Sequence, residues 1–268
     1  LKWVGGKGQL VGEIIKLLPQ KFNNYVEPFV GAGALFFALY SADILKDKSV
    51  ILSDFNEELI NAYKALQKNN GANNIIKLLS NEMYANNSEN FYSVRLNVPT
   101  NSYERAARMI YLNKTCFNGL YRVNSKGLFN SPFGKYNNPK ICDSENLKAV
   151  SSALKNVSLM NGDFEVTSHL IKKEDFVYFD PPYQPVSKTS NFTNYTKNSF
   201  GEDDQKRLFN FYTSLSDKGC KVMMSNSDAK LIRELYKNFN LRVVGAKRSI
   251  NCKSSKRGNV DELIITNY

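Results

Sequence analysis

Tyr25-Val26-Glu27-Pro28-Phe29-Val30-Gly31-Ala32-Gly33-Ala34-Leu35-Phe36-Phe37 decides the fold. A short β-branched and aromatic run ends in two glycines, and an apolar helical pattern (Leu35, Phe36, Phe37, Leu39) begins at once. That is a strand, a tight turn and a helix, with glycine where a backbone must pass close to a ligand. Similar runs follow: Val50 to Ser53 ending at Asp54, Val157 to Met160 ending near Gly162-Asp163, Phe176 to Phe179 ending at Asp180, and Lys221 to Asn226. Helical patterns lie between them, which predicts a mainly parallel α/β sheet. Leu241 to Val244 and Glu262 to Thr266 read as a closing hairpin with the polar stretch from Asn251 to Asn259 as its loop.

About a hundred residues separate the second run from the third, where one helical crossover needs only about a dozen. An insertion is expected there. Its first part, Asn56 to Leu79, reads as helical from the spacing of Leu59, Ile60, Tyr63 and Leu66, and a second helical pattern starts near Tyr103. From Asn118 to Pro139 the chain turns to Gly, Asn, Pro and aromatic residues, the chemistry of turns and hairpins.

The 268 residues carry a formal charge of +11, with 42% hydrophobic and 23% charged residues. Such a surface attracts polyanions, and a nucleic-acid partner is a better reading of it than a merely soluble basic surface. Residues 101–150 hold eight basic groups (Arg105, Arg108, Lys114, Arg122, Lys126, Lys135, Lys140, Lys148) against Glu104, Asp143 and Glu145. Arg242, Lys247, Arg248, Lys253, Lys256 and Arg257 form a second run without an acid. No apolar stretch is long enough to span a bilayer, and the first residues lack a leader pattern, so a cytoplasmic protein is expected. Four scattered cysteines (Cys116, Cys142, Cys220, Cys252) and one histidine, His169, make a metal site improbable.

Asp54 ends the second strand about twenty residues after the glycines, where an acid can accept hydrogen bonds from ribose hydroxyls. An ordinary turn and a strand-end acid would look the same in isolation; together the two suggest an adenosine-containing cofactor. Asp180-Pro181-Pro182-Tyr183 is the strongest signal. Two prolines stiffen the loop and remove two N–H donors, so the Asp180 carboxylate and the Pro181 carbonyl can accept the two hydrogens of an amino group. The Tyr183 ring offers a stacking face for a planar base. Those are the needs of amine methylation. Ser225-Asn226-Ser227 reads as a strand-end turn and His169 as a structural histidine.

These motifs, in this order, resemble the Dam family of adenine-specific DNA methyltransferases, of the type that modifies GATC. Lys2-Trp3-Val4-Gly5-Gly6-Lys7 is similar to the family's K-W-x-G-G-K opening, in which Trp3 and Lys7 border the cofactor and Lys2 faces DNA. Pro28, Phe29, Gly31 and Gly33 match the cofactor loop, Asp54 the ribose acid, Asp163 and Phe164 the segment that holds the cofactor's adenine ring, and Asp180 to Tyr183 the catalytic motif. Phe117-Asn118-Gly119-Leu120-Tyr121-Arg122 resembles the hairpin that probes the major groove. The resemblance makes Arg122 a guanine reader, Leu120 a contact for a thymine methyl, Asn118 an edge contact and Phe117 a loosely transferred wedge. Lys114 and Lys135 match phosphate-binding positions, and Asn191 and Tyr195 fall in a loop that orders around the extruded base.

The resemblance therefore implies a Rossmann-like methyltransferase sheet (residues 1–55 and 146–268) with an inserted, mainly helical DNA-recognition domain containing a β-hairpin (56–145). It implies S-adenosylmethionine as cofactor, leaving S-adenosylhomocysteine, no metal, double-stranded DNA as partner and no membrane. A restriction endonuclease acting on the same site, outside any stable complex, is a further partner it allows. Methylation of a cytosine amine, of RNA or of a protein amide, an inactive DNA-binding relative, and a nicotinamide oxidoreductase stay open as alternatives. The last fits poorly, because the third glycine of that fingerprint is missing and Asp-Pro-Pro-Tyr has no use there.

Overall fold

The computed structural model describes residue 1 and residues 10–186, 200–247 and 259–268. Lys2, Trp3, Lys7, Asn191, Tyr195 and Cys252 lie outside the described residues. The strands are β1 (Tyr25–Glu27), β2 (Val50–Asp54), β3 (Val157–Asn161), β4 (Phe176–Phe179), β5 (Lys221–Ser227), β6 (Asn240–Lys247) and β7 (Asn259–Thr266). They form one seven-stranded sheet in the order β3-β2-β1-β4-β5-β7-β6. β1 to β5 run parallel, as expected of strands joined by crossovers. β6 and β7 make the closing hairpin, and β7 enters antiparallel between β5 and β6.

The helices are α1 (Val11–Lys16), α2 (Ala34–Ser41), α3 (Glu57–Gln67), α4 (Gly71–Leu79), α5 (Ser88–Leu96), α6 (Ser102–Thr115), α7 (Ser144–Ala153), α8 (Glu202–Asp217) and α9 (Lys230–Leu235). Successive strand residues point to opposite faces, so the sheet is buried on both sides. Tyr25, Leu52, Phe176, Tyr178 and Met223 face α2, α3, α6 and α7. Val26, Ile51, Val177, Phe179, Val222 and Met224 face α8 and α9.

The insertion between β2 and β3 is not held apart from the sheet. One buried cluster runs from Tyr25 and Leu52 through Leu59 and Tyr63 of α3 to Ile110 of α6 and Phe129. The Asn56 side chain caps α3 by accepting from Leu59 N at 3.0 Å. The single helical run read from Asn56 to Leu79 is broken at Asn70, which adopts a left-handed φ of 56° and starts α4. Arg108, counted with the basic surface from sequence, is 5% exposed and donates to the carbonyls of Val94 (2.9 Å) and Arg95 (2.7 Å). Arg105 pairs with Glu57 and Glu58, both at 2.7 Å. Those two arginines fasten helices together, and the exposed cations of this region include Arg122, Lys126 and Lys135.

After α6 the chain forms an irregular hairpin with two isolated bridges, Cys116 with Phe133 and Val123 with Phe129. Its tip is a turn in which Gly127 N donates to Asn124 O at 2.9 Å, with Gly127 at a φ of 79°. Asn124 Oδ1 accepts from Lys126 N and Leu128 N, each at 3.0 Å, so side-chain bonds replace part of the ladder. Packing of Tyr121 on Phe129 (5.2 Å between ring centroids) and of Phe91 on Phe133 (5.3 Å) anchors its base to α5.

Candidate active site

The chain leaves β1 toward β2 and β3 on one side and later crosses to β4 and β5 on the other, so β1 and β4 are neighbours where the direction of winding reverses. A crevice opens at the carboxyl ends of strands at such a switch point. The glycine loop leaves β1 there and the Asp180–Tyr183 loop leaves β4.

Gly31 and Gly33 have φ values of 47° and 70°, the left-handed region that glycine adopts without penalty. A Cβ on Gly33 would meet the Phe37 ring at 2.8 Å. Asp54 holds the loop open: its Oδ2 accepts from Gly31 N at 2.9 Å and its Oδ1 from Asn56 N at 2.8 Å. Burial raises the Asp54 carboxyl and the two N–H donors oppose the rise. A carboxylate has about four acceptor directions, so two bonds leave capacity for ribose hydroxyls. Tyr63 of α3 adds a bond from its hydroxyl to Gly31 O at 2.8 Å. Pro28 is buried and its carbonyl accepts from Ser53 Oγ at 3.4 Å.

Phe29 turns into an aromatic wall. Its ring stacks on Phe164 (5.6 Å, 28°) and meets the edge of Phe200 (5.8 Å, 85°). The Arg207 guanidinium lies 4.5 Å from the Phe164 centroid and bonds to Asp163 Oδ2 at 2.5 Å. Phe164 is 3% exposed, covered by Phe29 and Arg207. The Asp163–Phe164 pair is thus brought to the glycine loop with Arg207 layered over it, a residue that sequence reading did not select.

Across the switch point, Asp180 is half-buried, Pro181 is buried and Tyr183 is half-buried. The Tyr183 hydroxyl donates to Glu262 Oε2 of β7 at 2.6 Å. Beneath the loop, Tyr178 and Ser225 share a hydrogen bond of 2.6 Å, and Tyr25 donates to Glu27 Oε2 at 2.7 Å. Burial pushes the Glu27 carboxyl up to about 8; the Tyr25 hydrogen bond opposes this, and the Asp180 charge adds to it. Desolvation also holds the Tyr183 phenol well above its ordinary value.

On the hairpin, Phe117 is 52% exposed and Asn118 is exposed with a φ of 57°. Leu120 and Lys114 are half-buried, and Lys135 is exposed with a φ of 52°. Arg122 is exposed, and its Nε donates to Asn130 Oδ1 at 2.8 Å. Phe117, Asn118, Leu120, Arg122 and Lys135 belong to the hairpin region, whereas Lys114 lies at the end of α6 and lines a small cavity with Ala32 of the glycine loop and Tyr63.

A glycine loop and an amino-group acceptor loop on adjacent strands fit transfer of a group from a nucleoside-bearing cofactor to an amine. The chain matches the family described as D12 class N6 adenine-specific DNA methyltransferase over residues 3–250. It belongs to that family. The type II methyltransferase M.MjaIII of Methanocaldococcus jannaschii is 46% identical over 287 aligned residues, covering 100% of this chain and 98% of that protein. The type II methyltransferase M1.LlaDCHI of Lactococcus lactis subsp. cremoris is 44% identical over 275, covering 100% and 94%. A DNA adenine methylase of Haemophilus influenzae is 36% identical over 268, covering 98% and 91%.

The methyltransferase acts on DNA adenine, and its methyl donor is S-adenosylmethionine. The site has the features such a donor needs: a glycine turn that a side chain would fill, a strand-end acid with spare acceptor capacity, and an aromatic wall. Among the described residues no cluster of three or more His, Cys, Asp or Glu could hold a metal ion. No helix among them is long and apolar enough to cross a membrane. His169 is exposed, and Cys116 and Cys220 are buried free thiols.

The main omission from sequence was the buried support of the loop by Gln205, Asn226 and Glu262. Gln205 carries one usable signal, a polar residue on the apolar face shared by Leu208 and Phe211.

Proposed function

We propose that this methyltransferase modifies an adenine extruded from double-stranded DNA, with GATC as its target. The observation that carries the reading is the adjacency of the glycine loop and the Asp180–Tyr183 loop at the ends of neighbouring strands. A stacked, paired adenine hides its amino group, so the base must leave the duplex at a cost of a few kcal/mol, and stacking on Tyr183 recovers part of that cost. The amine is a poor nucleophile because its lone pair is delocalised into the ring. The Asp180 carboxylate and the Pro181 carbonyl accept its two hydrogens and favour a lone pair directed out of the ring plane. Pro182 stiffens the turn, and the carboxylate stabilises the positive charge that develops on nitrogen.

S-adenosylmethionine, when bound, supplies an activated methyl group with its own leaving group. Trp3, Lys7, Pro28, Phe29, Gly31, Gly33, Asp54, Asp163, Phe164 and Asp180 hold it, so the protein contributes alignment and electrostatics.

Residues 56–145 form the DNA-recognition unit inserted into a catalytic domain made of 1–55 and 146–268. Arg122 reads guanine with its planar fork, Leu120 meets a thymine methyl, and Asn118 and Phe117 act at the site's edge. Lys2, Lys114 and Lys135 neutralise phosphates, and Asn191 and Tyr195 contact the DNA. The enzyme works in the cytoplasm on double-stranded DNA. The names of two relatives as type II methyltransferases support a companion endonuclease that reads the same site separately.

The test is expression in a host that lacks GATC methylation. Genomic DNA should resist a nuclease that cuts only unmethylated GATC. Full cleavage beside N6-methyladenine in other contexts would remove GATC from the account, and absence of N6-methyladenine would remove the reading altogether.

A further inference from the structure

We propose that Gln205 and Asn226 form a clamp that fixes the backbone of the Asp180–Tyr183 loop and thereby aims its acceptors, making both positioning residues for methyl transfer. The proposal rests on the reading of that loop as catalytic.

The need for such a clamp follows from the loop's own composition. Pro181 and Pro182 have no N–H, so this stretch cannot be fastened by its amides as ordinary turns are. What remains are the carbonyls and, beyond the prolines, the amides of Tyr183 and Gln184. The Gln205 side chain, 1% exposed in the first turns of α8, donates from Nε2 to Pro182 O at 2.9 Å. Asn226, fully buried near the end of β5, donates from Nδ2 to Gln205 Oε1 at 3.1 Å. Its Oδ1 accepts from Gln184 N at 3.0 Å and from Ser227 N at 2.8 Å. Ser227 Oγ closes the set by donating to the Gln184 carbonyl. The loop is therefore gripped at the carbonyl of Pro182 and at both backbone groups of Gln184, by side chains from α8 and β5.

Two buried amides are a costly way to fill space, because each is penalised unless its donors and acceptors are met. Leucine at either position would fill the same interior without that risk, and packing alone therefore gives no reason for this pair. Hydrogen bonds add direction. Asp180 and Pro181 lie just upstream of the gripped carbonyl, with the buried β4 strand behind them, so the clamp limits rotation of the peptide units that must point at the amine. The Gln205 end is itself set by the start of α8, where Gly201 N donates to Asp204 Oδ2 at 3.0 Å.

The experiment compares the full-length enzyme with Gln205→Leu, Gln205→Glu, Asn226→Asp and Asp180→Ala. Single-turnover methyl transfer from S-adenosylmethionine to plasmid DNA is measured and scaled to the fraction of protein that binds cofactor. Gln205→Leu is expected to lose about a hundredfold in rate, the scale of a displacement near 1 Å at a reacting centre. Cofactor and DNA affinities should stay within about threefold, because a positioning role acts on the rate and not on ground-state binding. Asn226→Asp, which keeps the acceptor for Gln184 and Ser227 and loses the donor to Gln205, should fall between wild type and Gln205→Leu.

A Gln205→Leu rate within about twofold of wild type, beside a silent Asp180→Ala, would overturn the clamp and leave the catalytic loop standing. Normal turnover in Asp180→Ala would overturn both. Should Gln205→Leu bind no cofactor because it does not fold, Gln205→Glu decides by the same criterion: it keeps the acceptor for Asn226 and sets an oxygen against Pro182 O.

Discussion

The Tyr183 hydroxyl donates to Glu262 Oε2 at 2.6 Å and so joins the loop after β4 to β7, the strand that enters the sheet antiparallel. The ring that is to stack the base is thereby fixed at its far end. Tyr183→Phe keeps the ring and removes one hydrogen bond worth about 1 kcal/mol. Turnover should fall only a few-fold. Tyr183→Ala removes the stacking face as well, worth about 1–3 kcal/mol. Steady-state kinetics on duplex DNA should therefore rank wild type, Phe and Ala in that order, with most of the loss at Ala. Equal loss in both variants would assign the role to the hydroxyl.

Glu27 gives the stability a pH slope. Its carboxyl is pushed up to about 8, first by burial and also by the Asp180 charge. A carboxyl with a raised folded-state pKa stabilises the fold fully below its unfolded value, and that stability is lost as pH rises toward the folded value. Between its ordinary value of 4.5 and about 8 the wild type should lose stability by up to about 1.4 kcal/mol per pH unit from this group. Glu27→Gln removes the slope, whatever constant cost the new amide adds beside Phe36 N. Thermal midpoints from pH 5 to pH 8 should shift progressively in favour of the variant. Parallel curves would contradict the assignment.

Gly33 is tested by adding one carbon. With φ at 70° and the Phe37 ring 2.8 Å from where a Cβ would sit, Gly33→Ala meets both backbone strain and a clash. The left-handed conformation alone costs roughly 1–2 kcal/mol. Chemical denaturation should show at least that loss, together with weaker S-adenosylmethionine binding by titration. An unchanged affinity would separate this turn from the cofactor site.

Arg122 is expected to supply discrimination more than affinity. Arg122→Ala should lose roughly 1–3 kcal/mol of preference for GATC over a site altered at its guanine, read as the ratio of kcat/KM values. Lysine should not restore it, because a point charge cannot make the planar two-acceptor contact. Lys135→Ala should instead weaken binding to all duplexes alike and flatten the salt dependence.

The sheet was legible because its strands carry their own signal. Phe176 to Phe179 is apolar on both faces, as a strand covered on both sides must be, and Asp54 and Asp180 mark strand ends where the crevice opens. Period and punctuation are local, so sequence reading finds them. Asn70 was missed because the apolar periodicity continues across the break it makes. Arg108 was read as surface charge because a cation shows no sign in sequence of the two carbonyls that will receive it. Hairpin structure was expected between Asn118 and Pro139 from the glycines, asparagines and prolines there, but its ladder is sparse because Asn124 takes bonds that strands would otherwise make. Gln205 and Asn226 are 21 positions apart and meet only when α8 packs on β5. Arg207 likewise reaches Asp163 and Phe164 only through the fold.

The most direct test is transfer of radiolabelled methyl from S-adenosylmethionine by the purified protein to three short duplexes. One carries a single GATC, one carries adenine in another context, and one carries GATC already methylated at its adenines. The account predicts label on the first alone. Label on both unmethylated duplexes would contradict the specificity assigned to Arg122 and its hairpin, and no label on any duplex would contradict the enzyme's assignment itself.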